Sequence, residues 1–392
     1  MNKFNPARLK DARHYRKMTI EELATSIGIK KQAISQFENG KSTPDFDTLY
    51  SISQTLIFPI DFFVDEVTES IKTGNTYFRA LFSCNKKDQN SQKIKTLYLA
   101  QIYYNLRKYI NFPKFNIPNV ESINDIEKTA MAVRDYWGLG QEPIADMVSL
   151  LERNGIIISE FSTEGKIIDA FSQYNEIDGE GFFCIVLGTD KNSFVRRQFS
   201  SAHELGHILL HENFEDLNEI NREDFRLRET EANKFASAFL LPKEAFTRDL
   251  SQYSNKLNYY VELKRKWKVS ISAMIMRAYD LEIINPNQYQ YLMRQVSQKS
   301  WRTREPLDDV MIVRRPKALR KAINLLLLNN ILTGNQILQL FAQSGLALPK
   351  EVIDEVLGLD ADTIFLDLAE PDSVLINSKQ SKIVQLSQLK KM

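Results

Sequence analysis

The sequence predicts a mainly α-helical chain with a small β-sheet, an α+β arrangement in three parts. Three observations carry that expectation. Apolar residues recur at helical spacing through residues 6–64. Two short β-prone runs bounded by glycine, Gly155-Ile156-Ile157-Ile158-Ser159 and Gly181-Phe182-Phe183-Cys184-Ile185-Val186-Leu187, stand near the middle. Helical patterning then dominates from residue 194 to about Leu357.

The chain has 392 residues, which at about 100–200 residues per domain suggests two or three domains. Its 51 Lys+Arg nearly balance 50 Asp+Glu, so a uniformly basic nucleic-acid coat is excluded while local basic patches are not. Cys84 and Cys184 are too few for a disulfide framework or a cysteine-ligated metal. The run Met1-Asn2-Lys3-Phe4-Asn5-Pro6 lacks the apolar stretch of a secretory signal. Leu325-Leu326-Leu327-Leu328 lies between Asn324 and Asn329 and is too short to span a bilayer. A soluble cytoplasmic protein with no membrane partner is expected.

The first element group, residues 1–65, reads as a helical bundle. Leu9, Ala12, Ile20, Leu23, Ala24, Ile27, Ile34, Phe37, Leu49, Ile52 and Leu56 hold the apolar positions. Thr19 with Glu22 three residues on makes a capping box, Gly28 interrupts the pattern, and a second helix runs from about Lys30 to Glu38. Asn39-Gly40 ends it and Pro44 starts the next segment. Residues 66–125 read as connecting helices and linker, with a helix over Tyr98 to Tyr109 and connectors at Asn111-Phe112-Pro113 and Ile117-Pro118-Asn119. Residues 126–296 read as the central domain. It starts with helices from Ile126 to Trp137 and Pro143 to Arg153, and the two β-prone runs follow. Helices over 194–212, 226–240 and 256–296 complete it. Residues 297–392 read as a mainly helical region of unassigned role, with a strand at Ser373-Val374-Leu375-Ile376.

A helix, a glycine-containing turn and a second helix form the helix-turn-helix pattern, with Ala24 and Ile34 where the helices cross. On the outer face of the second helix stand Lys30, Lys31, Gln32, Ser35 and Gln36. Lys suits guanine edges or phosphate, Gln can pair with adenine, and Ser reads either. Residues 1–17 add Lys3, Arg8, Lys10, Arg13, Arg16 and Lys17 against the acid Asp11, a local excess suited to phosphates. The residues alone equally fit a helical bundle with a solvated charged face. Leu23-Ala24-x-x-Ile27-Gly28, Ile34-Ser35-x-x-Glu38-x-Gly40-Lys41-x-x-Pro44 and Leu49 resemble the XRE-type (Cro/repressor-like) helix-turn-helix family. That resemblance implies binding to double-stranded operator DNA and, since such domains often dimerise on palindromes, a homodimer.

Ser200-Ser201-Ala202-His203-Glu204-Leu205-Gly206-His207 carries the strongest chemistry. Histidines four apart on a helix share one face, so two imidazoles can bind one tetrahedral Zn²⁺, and Glu204 can reach a water on that ion as general base. Zinc brings the pKa of such a water towards neutrality, and the carboxylate passes its proton on to a leaving amine. A third ligand is needed. His211 continues the spacing, but three successive turns stretch over about 12 Å of rise, too far for one ion. It therefore reads as a packing or supporting residue, and His14 lies in the N-terminal unit. The carboxylate is sought in Arg228-Glu229-Thr230-Glu231-Ala232-Asn233-Lys234-Phe235-Ala236. There Ala232, Phe235, Ala236 and Phe239 mark the buried stripe, and Glu229 shares a face with Asn233, which can hydrogen-bond a zinc-bound histidine. Glu231 is rotated by about 200° from Glu229.

Arg197-x-Phe199-Ser200-x-Ala202-His203-Glu204-Leu205-Gly206-His207-x-Leu209-x-His211, followed by Glu229-x-Glu231-Ala232-Asn233-x-Phe235-Ala236, resembles the ImmA/IrrE family of metallopeptidases over roughly 130 to 285. Leu240-Leu241-Pro242 departs from it, the leucines running straight into the proline. The resemblance implies a zincin-like helical core with a small sheet and two His and one Glu as ligands. It also implies proteolysis of XRE-type repressors that switches on phage-like or stress-response genes. An oxyanion stabiliser is not identified: Tyr174, Tyr259, Tyr260 and Tyr279 read as packing aromatics, and Arg196 and Arg197 as structural ion-pair formers. Asp169-Ala170-Phe171-Ser172 reads either as a strand that aligns a peptide or as core. Trp301 to Leu307 and Arg314-Arg315-Pro316-Lys317 read as linker and solvated helix face ahead of a nucleic-acid contact. The expectation is a DNA-binding regulator with a zinc endopeptidase. The alternative is a DNA-binding regulator whose peptidase-like domain senses without cutting.

Overall fold

The computed structural model describes residues 3–64, 71–78, 85–120, 125–162, 169–190, 193–211, 221–360, 363–365 and 384–385. The strand expected at 373–376 lies outside them.

Residues 6–56 fold as α1 (Pro6–Tyr15), α2 (Ile20–Ser26), α3 (Lys31–Glu38) and α4 (Phe46–Leu56), closed by a 3-10 turn at Ile60–Phe63. The Thr19–Glu22 capping box forms and starts α2. Gly28 takes a positive φ of 73°, the backbone that the turn into α3 requires. Leu9, Ala12, Leu23, Ala24, Ile34, Ile52 and Leu56 fill the interior, with Ala24 and Ile34 both buried as the crossing demands.

β1 (Ile71–Phe78) and the 21-residue α5 (Lys86–Leu106) follow, then a two-residue β2 (Ile110–Asn111). The segment read as a connector is therefore structural: Tyr98, Leu99, Ala100, Ile102 and Leu106 of α5 are wholly buried. Gly74 and Asn75 hid β1 from the reading, since both residues are poor strand formers. The helix also stops at Leu106, short of Tyr109.

α6 (Ile126–Tyr136) and α7 (Met147–Arg153) precede three strands, β3 (Ile157–Phe161), β4 (Ala170–Ile177) and β5 (Glu180–Gly188). α7 begins at Met147 instead of Pro143 because Asp146 is its N-cap, accepting from the Ser149 amide. The sheet order is β1-β4-β5-β3, with β3 and β5 parallel and the other pairs antiparallel. Six helices complete the central region: α8 (Phe194–Leu210), α9 (Arg222–Leu240), α10 (Lys243–Leu250), α11 (Leu257–Trp267), α12 (Ile271–Asp280) and α13 (Pro286–Gln298). Three more, α14 (Ala318–Leu328), α15 (Gly334–Gln343) and α16 (Lys350–Leu357), precede β6 (Val384–Gln385), which pairs with β2 in parallel.

Both faces of the sheet are buried, which explains why β3 and β5 read as unbroken apolar runs. Ile158, Ala170, Phe183, Ile185 and Leu187 enter a core with α6 to α9 and the helices after them. Ile157, Phe171, Cys184 and Val186 enter a second core shared by α5, the N-terminal bundle and α14 to α16. The C-terminal region is tied to its neighbours by ion pairs as well. Glu355 accepts from Tyr15 and, at 2.6 Å, from Lys95, and Arg8 donates to the Gly345 carbonyl. Arg315, read as solvated, instead pairs with buried Glu160, which also holds Arg197 at 2.5 Å. Glu305, in the stretch read as a linker, accepts from the Ile271 and Ser272 amides at the start of α12 and pairs with Lys264 at 2.8 Å.

Glu152 accepts from the Lys317 and Ala318 amides at 2.8 and 2.9 Å, joining α7 to the start of α14. Burial pushes its carboxyl up to about 7, and the two backbone N–H groups only partly oppose this. With the folded value above the ordinary carboxylate value, the folded state binds the extra proton, so stability falls as pH rises from about 4.5 to 7. Glu152→Gln keeps an acceptor oxygen without the titration. The expected result is that the Tm of the wild type drops relative to Glu152→Gln between pH 5 and pH 8, measured by thermal melts across that range.

Candidate metal centre and DNA-reading face

α8 places His203 and His207 one turn apart on the side facing α9, and Ala202, Leu205 and Ile208 anchor it in the core. The two helices cross at Gly206. A Cβ there would sit 3.1 Å from the Cα of Ala232 and 3.3 Å from its carbonyl oxygen, so a larger residue would crowd the α9 backbone and glycine suits this approach. Glu229, three residues before Ala232, consequently reaches the histidine pair.

The Nε2 atoms of His203 and His207 are 3.0 Å apart, and Glu229 oxygens lie 3.5 and 3.2 Å from them. A tetrahedral ion with ligand bonds near 2 Å requires ligand–ligand edges of about 3.3 Å. The imidazole pair is close to that figure, and each ring nitrogen has a different Glu229 oxygen near it, so the donor set suits a zinc-sized cation. His203, His207 and Glu229 are the group of the described residues whose ligand atoms converge for a metal, all within 4.8 Å of one another.

Ionisation agrees with that donor set. Burial pushes His207 down to about 4, although Glu229 pulls the other way, so the ring is neutral at physiological pH. Burial alone would raise Glu229, but the neighbouring His203 and His207 outweigh it and hold the carboxyl down to about 2. The His203 Nδ1 lies 3.1 Å from Asn233 Oδ1. An amide oxygen only accepts, so the His203 Nδ1–H donates to it and Nε2 is the nitrogen on the Glu229 side.

His211 does not continue the helix. α8 ends at Leu210, and His211 is extended, at φ −125° and ψ 152°. Its ring folds back so that its Nδ1 meets His207 Nδ1 at 3.0 Å, while Nε2 faces Glu231 at 3.2 Å. His211 and Glu231 thus support His207 from outside the ligand set.

Glu204 is buried beside the pair, and Ser172 on β4 donates to its Oε2 at 2.8 Å. Ser172 was not singled out as a site residue in the sequence. The signal was there: it is the hydroxyl in the helix-facing series Ala170, Ser172, Tyr174 of a strand whose alternate residues face the other core. The tyrosines lie elsewhere. Tyr174 packs on Phe183 with its hydroxyl over Gly181, Tyr259 and Tyr260 donate to backbone carbonyls, and Tyr279 packs at a tilt against Tyr289.

In the N-terminal unit Lys30, Lys31, Gln32 and Gln36 are exposed and Ser35 is half-buried, one contiguous polar face on α3 and its N-cap. The expected phosphate patch is smaller than its sequence count. Arg13 is clamped by Glu38 at 2.6 Å, Arg16 by the Leu56 carbonyl at 2.7 Å, and Lys17 by Asp88 at 2.6 Å. Arg8 is also buried, which leaves Lys3 and Lys10 exposed. These arginines satisfy backbone carbonyls and a buried acid that a bundle this small cannot satisfy with helices alone.

Residues 151–279 match the family model of the IrrE N-terminal-like domain, Peptidase_M78, and residues 9–63 match the helix-turn-helix model HTH_3. The chain joins the two. A search of curated proteins finds no match. The Peptidase_M78 family is typically metal-dependent, and the matched span contains all three converging ligands. Together the matches support a DNA-binding regulator carrying a protease-like domain. Among the described residues, no helix is long and apolar enough to cross a membrane.

Asn233→Ala removes the acceptor that orients His203 while leaving all three ligands. A loss of about 10–100-fold in zinc affinity is expected, against near-complete loss for His203→Ala or Glu229→Ala. Competition with a chromophoric chelator, together with metal content by mass spectrometry, checks both.

Proposed function

We propose that this chain is a cytoplasmic DNA-binding transcriptional regulator with zinc-dependent endopeptidase activity, cutting a protein substrate such as an XRE-type repressor to switch genes on. The observation that carries the reading is the pairing of a three-ligand set with a separate carboxylate. His203, His207 and Glu229 converge, while Glu204 lies outside that ligand set and accepts from Ser172. A site that only stored or sensed a metal would not require that fourth group.

Zinc, when bound, supplies a Lewis acid that polarises an amide carbonyl and makes water acidic near neutral pH. The chain's own residues do the rest. Glu204 takes a proton from the attacking water and returns one to the departing amine nitrogen. The Ser172 hydroxyl fixes the carboxylate through Oε2, so the proton transfer starts from an oriented group. Asn233 on His203, and His211 backed by Glu231 on His207, hold the two rings in place. Burial of Glu204 and both histidines excludes bulk water around the reacting groups.

The DNA half rests on Lys30, Lys31, Gln32, Ser35 and Gln36, a polar face at the start and outer side of α3. A homodimer on a palindromic site follows from the same family of domains.

Two outcomes test the reading. Glu204→Gln should retain about one zinc per chain while hydrolysis of casein or of a co-expressed repressor falls by about 10²–10⁴-fold. Unchanged hydrolysis by Glu204→Gln would remove the general-base assignment. On an operator selected from random duplexes, Gln32→Ala and Gln36→Ala should each cost about 1–3 kcal/mol in binding and relax specificity at one base pair, read by mobility shift.

A further inference from the structure

β4 is the strand that touches the candidate active site, because Ser172 on it holds Glu204. One edge of β4 is taken up by β5 along its whole length, from Ala170 opposite Leu187 to Ile177 opposite Glu180. The other edge is where an extended polypeptide could add backbone hydrogen bonds beside Ser172. β1 lies on that edge. It runs antiparallel, with Phe78, Tyr77 and Thr76 opposite Phe171, Ser172 and Gln173.

We propose that β1 is a built-in occupant of the peptide-binding edge of this site, and that a protein substrate enters as an extended antiparallel strand on β4 once β1 has left it. The inference rests on the peptidase reading for its chemistry, while its geometry stands on the strand register. The ligand class is an unfolded or extended segment of polypeptide, recognised chiefly through its backbone.

The pairing of β1 is that of an exchangeable strand. Thr73 faces Asn175 and Thr76 faces Gln173, so Gly74 and Asn75 together face the single residue Tyr174. Such a bulge leaves one residue out of the ladder and bends the strand, and an interior glycine weakens it further. Lys72 and Thr73 are exposed, and the Lys72–Glu176 ion pair at 2.9 Å joins a side chain that is 67% exposed to one that is 23% exposed. An ion pair that open to solvent holds little. By contrast β4, β5 and β3 pair without a break and are buried on both faces. β1 is thus the strand that can leave while the rest of the sheet stays folded.

The test uses the full-length, metal-free protein and a fluorescein-labelled peptide with the sequence of residues 71–78, followed by anisotropy. In Thr76→Pro/Tyr77→Pro the two prolines remove the ladder N–H, whichever of the adjacent residues donates it. In Lys72→Cys/Glu176→Cys, in a Cys84→Ser background, directly opposed residues can be joined by a disulfide that locks β1 down. The proline variant should bind the peptide at least about tenfold more tightly than wild type, because it no longer competes with a tethered copy. The oxidised cysteine variant should bind at least tenfold more weakly than its reduced form. A proline variant with wild-type circular dichroism and no gain in peptide binding overturns the proposal. So does equal binding by the oxidised and reduced cysteine variants, a comparison that holds even if the proline variant misfolds. Absence of casein hydrolysis by every zinc-loaded variant would instead strike the peptidase reading, leaving the strand exchange to be decided by the peptide.

Discussion

The close crossing of α8 and α9 at Gly206 and Ala232 is the constraint on which the rest of the site depends. Two histidines four apart make only half a ligand set, and α8 cannot supply the remainder. A second helix must pass near enough for a carboxylate to bridge the gap, and glycine at 206 with alanine at 232 lets it do so. The same crossing sets the phase of α9. With Ala232, Phe235, Ala236 and Phe239 turned into the core, Glu229 and Asn233 fall on the side of the histidines and Glu231 falls a half-turn away. Packing therefore decides which of two nearby acids becomes a candidate ligand. The electrostatics follow, since burial between two helices keeps His207 neutral while the histidine pair keeps Glu229 ionised.

The sheet is a partition shared by two cores, and this changes how the chain's parts relate. The candidate metal centre lies on one face, and α5, the N-terminal bundle and α14 to α16 lie on the other. Glu160 links them directly: one carboxylate on β3 holds Arg197 of α8 and Arg315 of the C-terminal region. Because Arg197 precedes His203 on the same helix, this buried acid ties the C-terminal region to the scaffold of the site, and Arg197 reinforces the link by donating to the Arg314 carbonyl at 3.1 Å. Removing either arginine would leave Glu160 in a low-dielectric setting with half its compensation.

Local signals in the sequence were strong where chemistry and helix period coincide. His203-Glu204-x-x-His207, the Glu229 and Asn233 face and the Thr19 capping box can each be read within one or two turns. What could not be read depends on partners distant in the chain. β1 carries Gly74 and Asn75 and looks like a loop until β4 pairs with it. α5 resembles a connector because its burial comes from elements on both sides of it and from residues more than 200 positions later. Arg8, Arg13 and Arg16 look like phosphate contacts by composition, yet each is committed to an internal acceptor. Ser172 is a small polar residue whose role appears only when the strand is placed over α8.

The tether gives β1 a consequence beyond its own weak pairing. A strand held by a short connection competes at an effective concentration in the millimolar range. A free peptide of equal intrinsic affinity would have to reach that concentration to displace it half the time, which few cellular polypeptides do. Weak pairing on β4 is therefore sufficient to keep the edge covered, and under the proposed exchange a segment read through its backbone would have to be held nearby to compete. The proposed DNA contact of the α3 face would supply that proximity. A repressor bound next to this protein on the same DNA would also be held at a high local concentration, so two tethered strands would compete on equal terms. Under the proposed function, the helix-turn-helix unit would then contribute to substrate selection without touching the scissile bond, a physical reason for one chain to carry both units.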